Sequence, residues 1–290
     1  MYKIKQMKSN LLTFYFIFFL FISNKIALGD FFLEKIRGDS IQGGLIIYKT
    51  NPQAEIFFKN DKINISPNGF FVIAFHRDDK GKHELKLIYK NKTHLVNLYP
   101  KQRKYLEEKI QNLPKNMVSP SLEILSKIKK DIDDVKRARM KFSKNEDFIY
   151  NKFKWPLTGR ITGVYGSKRI LNGKKRQPHY GIDIATASGT IVRPSASGRV
   201  VLSKNLHFTG FTIIIDHGYF LSSTYSHLSE IFVKEGEFVN RKKIIGLVGS
   251  SGRSTGPHLD WRINWKNKRL DPKVLSHPMY IHYPISRPKR

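Results

Sequence analysis

The chain has 290 residues, 40% of them hydrophobic, which is enough for two ordinary domains and too apolar for a chain disordered by composition. It has no cysteine, which excludes a disulfide framework and a thiolate metal site and leaves His, Asp and Glu as the available metal ligands. Lys and Arg total 52 against 23 Asp and Glu, a formal net charge of +29. Such an excess suits nucleic acid, an anionic wall polymer or membrane headgroups. Here the charge is spread along the whole chain, is dominated by Lys and accompanies no nucleic-acid-binding motif. Together with the N-terminus described next, this argues against nucleic acid as a partner.

Residues 1–29 read as an export signal. Lys3, Lys5 and Lys8 form a basic start, and Leu11 to Ile22 is apolar or aromatic apart from Thr13. Ala27-Leu28-Gly29 places small residues at −3 and −1, with Asp30 as the first mature residue. A run of about a dozen residues is short for a bilayer-spanning helix, which needs about 20. Cleavage is therefore expected, with an uncleaved anchor as the alternative. In both cases the rest of the chain is expected outside the cytoplasm, in the periplasm or cell envelope.

Residues 30–100 are expected to form a small β-rich domain. Leu45-Ile46-Ile47-Tyr48, Glu55-Ile56-Phe57-Phe58, Gly69 to Phe75 and His83 to Tyr89 are short strand-like runs. Turn residues at Asn51-Pro52, Pro67-Asn68-Gly69 and Asp79-Lys80-Gly81 separate them, which suggests an antiparallel sandwich. His76, His83 and His94 are scattered singly and are expected to be surface or packing residues. Residues 101–150 then become charged and helical in period. Leu122, Leu125, Ile128, Ile132 and Val135 recur at steps of three and four and share one helix face. Ser119-Pro120 suits the helix start. The apolar stripe is expected to pack against the chain's own domains.

From Trp155 onward the pattern is β again, punctuated by glycines, and a compact all-β domain is expected over 153–275, followed by a basic tail over 276–290. Thr190 to Val192, Thr212 to Ile215 and Ile244 to Val248 read as apolar strands. Within this part lie Pro178-His179-Tyr180-Gly181-Ile182-Asp183, Tyr225-Ser226-His227-Leu228 and Thr255-Gly256-Pro257-His258-Leu259-Asp260. Pro178 and Gly181 argue against a helix, so His179 and Asp183 are expected on a loop that runs into a strand. If the last segment is a strand, His258 and Asp260 project from one face. A catalytic zinc site needs three protein ligands and an open position. His179, Asp183 and one member of the His258/Asp260 pair supply three ligands, and His227 remains as an acid/base or oxyanion group. A metal held this way lowers the pKa of bound water and polarises a carbonyl.

These segments, in order with Gly166 to Gly173, Gly189-Thr190, Asp216-His217-Gly218 and Gly249-Ser250-Ser251-Gly252, resemble the M23 peptidases, the lysostaphin- and LytM-like peptidoglycan endopeptidases. The resemblance covers about residues 153–275; the N-terminal half carries no such signature. It implies a mostly antiparallel β-sandwich-like fold with one zinc ion in a groove and peptidoglycan as the substrate. It also implies that His179 and Asp183 are metal ligands, that His227 and His258 are catalytic, and that Asp260 stands where the family's third ligand is a histidine. Two carboxylates are expected to weaken the Lewis acidity of the metal or to favour a harder ion such as manganese. The alternative is an inactive LytM-like regulator of a cell-wall amidase. Envelope or divisome proteins are candidate partners through the N-terminal region. Arg169, Asn172 and Tyr225 are candidate substrate-binding residues, with Asn172-Gly173 equally suited to a turn and Tyr225 to packing. His217 is expected to be structural and His207 exposed. Arg262, two residues beyond Asp260, is a candidate to order that carboxylate.

Overall fold

A computed structural model of the protein describes residues 25–28, 31–111 and 121–279. The expected leader lies outside the described residues except at Lys25–Leu28, which form strand β1. Residues 119–120 and the tail from 280 onward also lie outside them.

The first part is β-rich as expected. Strands β1, β2 (Phe31–Gly38), β3 (Leu45–Thr50) and β6 (Phe70–Ala74) form one antiparallel sheet. Strands β4 (Glu55–Phe58), β5 (Asp61–Ile63), β7 (His83–Tyr89) and β8 (Lys92–Leu98) form a second. Ile47, Ile56, Phe71, Ile73, Leu85 and Leu87 are essentially inaccessible and fill the core between them. His83 packs edge-on against Phe58, and His76 lies beside Tyr180.

Residues 101–150 depart from the helical expectation at their start. Glu107–Ile110 form strand β9, which pairs in parallel with the later strand β11 (Lys168–Leu171). Helix α1 then runs from Leu122 to Arg139 with Ser121 at its N-cap, and a short helix α2 covers Asp147–Tyr150. The apolar stripe of α1 is only partly covered. Ile128 is buried, and Val135, half-buried, packs with Ala138 against Leu202, Leu206 and Ile214. Leu122, Leu125 and Ile132 remain exposed, at 84%, 44% and 60%. The expected packing of the stripe against the chain's own domains is therefore found for Ile128 and Val135 and corrected for Leu122, Leu125 and Ile132.

The remaining strands are β10 (Arg160–Gly163), β12 (Lys174–Arg176), β13 (Ile182–Ala185), β14 (Ile191–Val192), β15 (Gly198–Leu206) and β16 (Gly210–Gly218). They continue with β17 (Leu221–Ile231), β18 (Phe238–Val239), β19 (Gly246–Val248), β20 (His258–Trp265) and β21 (Lys268–Leu270), ahead of helix α3 (Pro272–Leu275). Most belong to one ten-stranded sheet ordered β10-β13-β20-β17-β16-β15-β18.

Register decides what each face of this sheet carries, because directly opposed residues share a face. Ile182 opposes Trp261 and Trp261 opposes Tyr225, while Ile184 opposes Leu259 and Ser223 opposes Ile263. That face is the core. On the other face Asp183 opposes Asp260 and Asp260 opposes Ser226, then Arg262 opposes Thr224 and Asn264 opposes Ser222. Ile214, which packs under α1, opposes Thr224, so the helix roofs the polar face.

Candidate metal centre and active-site groove

Strands β13 and β20 set the two carboxylates side by side. Asp183 and Asp260 are direct cross-strand partners, and His258 lies two residues before Asp260 on the same face. His179 comes from the loop ahead of β13. Its N–H donates to the Ser167 carbonyl at 2.9 Å, and its own carbonyl accepts from Gly166 N–H at 2.7 Å. Two glycines give the acids room. A Cβ on Gly163 would stand 2.3 Å from Asp183 Oδ2, and one on Gly181 would stand 2.7 Å from Asp260 Oδ1.

His179, Asp183 and Asp260 each bring a ligand atom to within 4.8 Å of the others. His179 Nε2 lies 3.1 Å from Asp183 Oδ1. His179 Nδ1 is buried with no hydrogen-bond partner, and His179 Nε2 and Asp183 Oδ1 are buried with no partner outside their own pair. Buried polar atoms are rarely left unpaired, because each lost partner costs about 1–3 kcal/mol. An imidazole and a carboxylate oxygen converging without outside partners fit a divalent cation with nitrogen and oxygen ligands.

The two catalytic candidates face the same point. His227 Nδ1 lies 2.7 Å from the Ser251 carbonyl, and His258 Nδ1 lies 2.8 Å from the Gly256 carbonyl. A carbonyl can only accept, so each Nδ1 carries the proton and each Nε2 is left with its lone pair. His258 Nε2 is 4.0 Å from Asp183 Oδ1, and the rings of His227 and His258 are 4.8 Å apart. Burial lowers the His227 pKa and outweighs the raising effect of Asp260, so this imidazole stays neutral below its usual range.

The acids are not bare. Arg262 grips Asp260 with a two-pronged contact: Nε donates to Oδ1 at 2.8 Å and Nη2 donates to Oδ2. Burial would raise the Asp260 pKa, but the charge and hydrogen bonds of Arg262 overcome it and hold the carboxyl well below the usual range. Arg169 Nη2 donates to Asp183 Oδ2 at 3.0 Å, while its Nε lies 3.5 Å from Glu108 on β9. Asp183 is likewise lowered: burial pushes it up, and His179 and Arg169 pull it down against the opposing charge of Asp260. Arg262 therefore does order Asp260. Each candidate ligand carboxylate has an arginine partner.

The groove around this cluster measures about 530 Å³, and its wall includes Arg169, Tyr180, Phe208, Arg253 and Ile132 of α1. Asn172, with φ of 46°, forms the β11–β12 turn with Gly173. Tyr225 requires a correction as a substrate contact. It is fully buried on the core face, where its hydroxyl accepts from Ser195 N–H at 2.7 Å and meets Ser223 Oγ at 2.9 Å. His217 is structural as expected: its Nδ1 donates to the Ser197 carbonyl at 2.9 Å and its Nε2 meets Ser223 Oγ at 2.7 Å. His207 is half-buried rather than exposed, with its N–H donating to Asp131 of α1 at 2.7 Å. Glu108 and Ile132 were missed because they lie far from the motifs in sequence; no local pattern marks them.

Residues 177–272 match Peptidase family M23. Peptidoglycan DD-endopeptidase ShyA of Vibrio cholerae is 35% identical over 147 residues, which are 49% of this chain and 34% of that protein. The chain thus spans about a third of the length of this curated relative. The catalytic domain of the antimicrobial peptidase lysostaphin from Staphylococcus simulans is 32% identical over 39% of this chain and 86% of that domain, with a TM-score of 0.33. An M23 structure from Pseudomonas aeruginosa, 24% identical, covers 83% of this chain and 96% of that one at a TM-score of 0.62, and shares the fold. On these matches and on the order of its His and Asp motifs, the chain belongs to peptidase family M23.

Proposed function

We propose that the protein is a zinc-dependent endopeptidase that hydrolyses peptide bonds of peptidoglycan, acting on cross-links in the cell envelope. The observation that carries this reading is the convergence of buried His179 and Asp183 atoms that have no partner outside their own pair, beside Asp260, with His227 and His258 lining the same groove. His179, Asp183 and Asp260 would hold the ion. When bound, zinc makes water acidic and polarises a carbonyl. His227 and His258, each fixed by a carbonyl at Nδ1, present Nε2 to accept a proton from the attacking water and to return one to the leaving amine. In protonated form either imidazole hydrogen-bonds the developing oxyanion. Arg262 and Arg169 draw charge from the two carboxylates, which offsets the weaker Lewis acidity of a two-acid ligand set. Manganese is the competing ion that this ligand chemistry admits.

The named relatives, a peptidoglycan DD-endopeptidase and lysostaphin, support the substrate class. An exported location in the periplasm or envelope follows from that substrate and from the N-terminal sequence. The N-terminal region is the surface on which envelope or divisome proteins would dock, and nucleic acid has no role. One observation favours the second reading, a metal-free regulator of an amidase: Arg262 engages both oxygens of Asp260. Zinc content and mass spectrometry of digested sacculi separate the two. Near-stoichiometric zinc and new muropeptides are expected from the wild type, and His179→Ala is expected to lose both. Identical fragments from wild type and His179→Ala would remove the catalytic claim.

A further inference from the structure

Behind the metal groove, the roof helix and the polar sheet face enclose a second cavity of about 350 Å³. It is continuous with the groove, since Ile132, Phe208, Arg262 and Arg269 line both. Its roof is the apolar stripe of α1, namely Ile128, Ile132 and Val135. Its floor is the hydroxyl row of β17. Thr224 and Ser226 are 3% and 0% exposed, and neither hydroxyl has a hydrogen-bond partner. At the end of α1 stands Arg139, 7% exposed, whose Nε–H is also unpartnered. No carboxylate lies within ion-pairing distance of it among the described residues. The C-terminus of α1 offers this guanidinium only partial negative charge.

Charge bookkeeping of the lining identifies the missing occupant. The positive groups are Lys136, Arg139, Arg262 and Arg269. Arg262 is matched by Asp260, while Arg269 meets neutral groups, donating from Nη1 to the Asn264 amide oxygen at 2.9 Å and lying over the Tyr180 ring. Asp131 is the one acid in the lining, and its carboxylate accepts from His207 N–H. A buried arginine without a counter-ion beside unpartnered hydroxyl donors and an apolar roof is complementary to a short aliphatic arm ending in a carboxylate.

We propose that this inlet is a specificity pocket that seats a free carboxylate on a branch of the peptide substrate, with Arg139 as its main anchor. The inference rests on the endopeptidase reading for the substrate class and goes beyond it in assigning the inlet. The apolar roof holds the methylene stem, Arg139 binds the carboxylate by charge-assisted hydrogen bonds, and Thr224 and Ser226 complete its donors. The scissile bond then lies toward His258 and His227, where the two cavities join.

The test uses two synthetic branched peptides that differ only in whether the branch ends in a carboxylate or its amide. Wild-type protein is expected to cleave the acid with a kcat/KM about 10-fold higher than the amide, through KM, the range expected of one charge-assisted contact. Arg139→Met is expected to lose that preference, and Arg139→Lys to retain part of it. Equal cleavage of both peptides by the wild type, or a preference that survives in Arg139→Met, overturns the proposal. Calorimetric titration of the same peptides into His179→Ala protein, with and without Arg139→Met, reads the pocket without turnover. Arg139-dependent binding of the acid alongside a wild type that cuts nothing sinks the endopeptidase reading and leaves the pocket. Cleavage by the wild type with equal binding of acid and amide sinks the pocket and leaves the enzyme.

Discussion

The two faces of strands β17 and β20 treat buried polar atoms in opposite ways. On the core face, Tyr225, Ser223, Ser195 and His217 form a closed chain of hydrogen bonds that ends on the Ser197 carbonyl, with Trp261 Nε1 as the unpartnered exception. On the roofed face the hydroxyls of Ser222, Thr224 and Ser226 and Nδ2 of Asn264 stand without partners, on the same face as Asp183 and Asp260. The same backbone supports both, so the difference lies in what each face is for. A closed network fixes one packing arrangement; open donors and acceptors lower stability and keep binding capacity. The contrast teaches that polar burial marks a ligand site only where it is left unfinished.

The largest expected effect comes from opening a pair that the roofed face does complete. Arg262→Leu strands the Asp260 carboxylate in a site where it is 2% exposed, and removal of one member of a buried pair costs about 3–5 kcal/mol. Urea unfolding of the metal-free protein would read this loss. If zinc restores most of it, Asp260 has turned to the metal; a loss below about 1 kcal/mol would show that the pair contributes little.

Next in size is an acid-sensitive step on the core face. Burial pushes the His217 pKa from 6.5 down to about 4. Between those values the unfolded chain binds a proton that the folded chain refuses. Stability therefore falls as pH drops from about 6.5 to about 4, by at most about 1.4 kcal/mol per pH unit, and this term is absent above pH 7. Comparing unfolding free energies across that range for wild type and His217→Gln isolates it; identical slopes would remove His217 from the acid response.

The smallest effects give the sharpest contrast. Tyr225→Phe leaves the Ser195 N–H without its acceptor and is expected to cost about 1–3 kcal/mol. Thr224→Val, on the neighbouring strand position of the opposite face, removes a hydroxyl that has no partner. It is expected to leave stability unchanged or to raise it by up to about 1 kcal/mol. Equal losses from both variants would erase the distinction between the faces.

Much of this site was legible in the sequence because strand period is a local rule. The two-residue step from His258 to Asp260 puts both on one face, and the proline and glycine around His179 keep it on a loop. Tyr225 was a candidate for the groove because it lies two residues before His227 and carries a polar tip, with packing as the other reading. His227, however, has φ of 64°, and the β17 register shifts next to it, so the period breaks there. Tyr225 stays with the core while His227 turns to the groove. That reversal is a tertiary effect with no sequence marker. The helix stripe was visible as a period, but its role as a roof depends on which half of α1 reaches β15 and β16. Arg262 was legible as a neighbour of Asp260; Glu108 and Arg139 were not, because they meet the site only through folding.

The apolar residues of strands β3, β4, β6 and β7 and those of β13, β16, β17 and β20 belong to one uninterrupted cluster. The N-terminal sheets thus act as a foundation for the groove rather than as a detachable accessory. Excising the family-matched segment would bare greasy surface that normally never sees solvent, so engineers seeking a minimal module from this chain must carry its forepart along or resurface the seam.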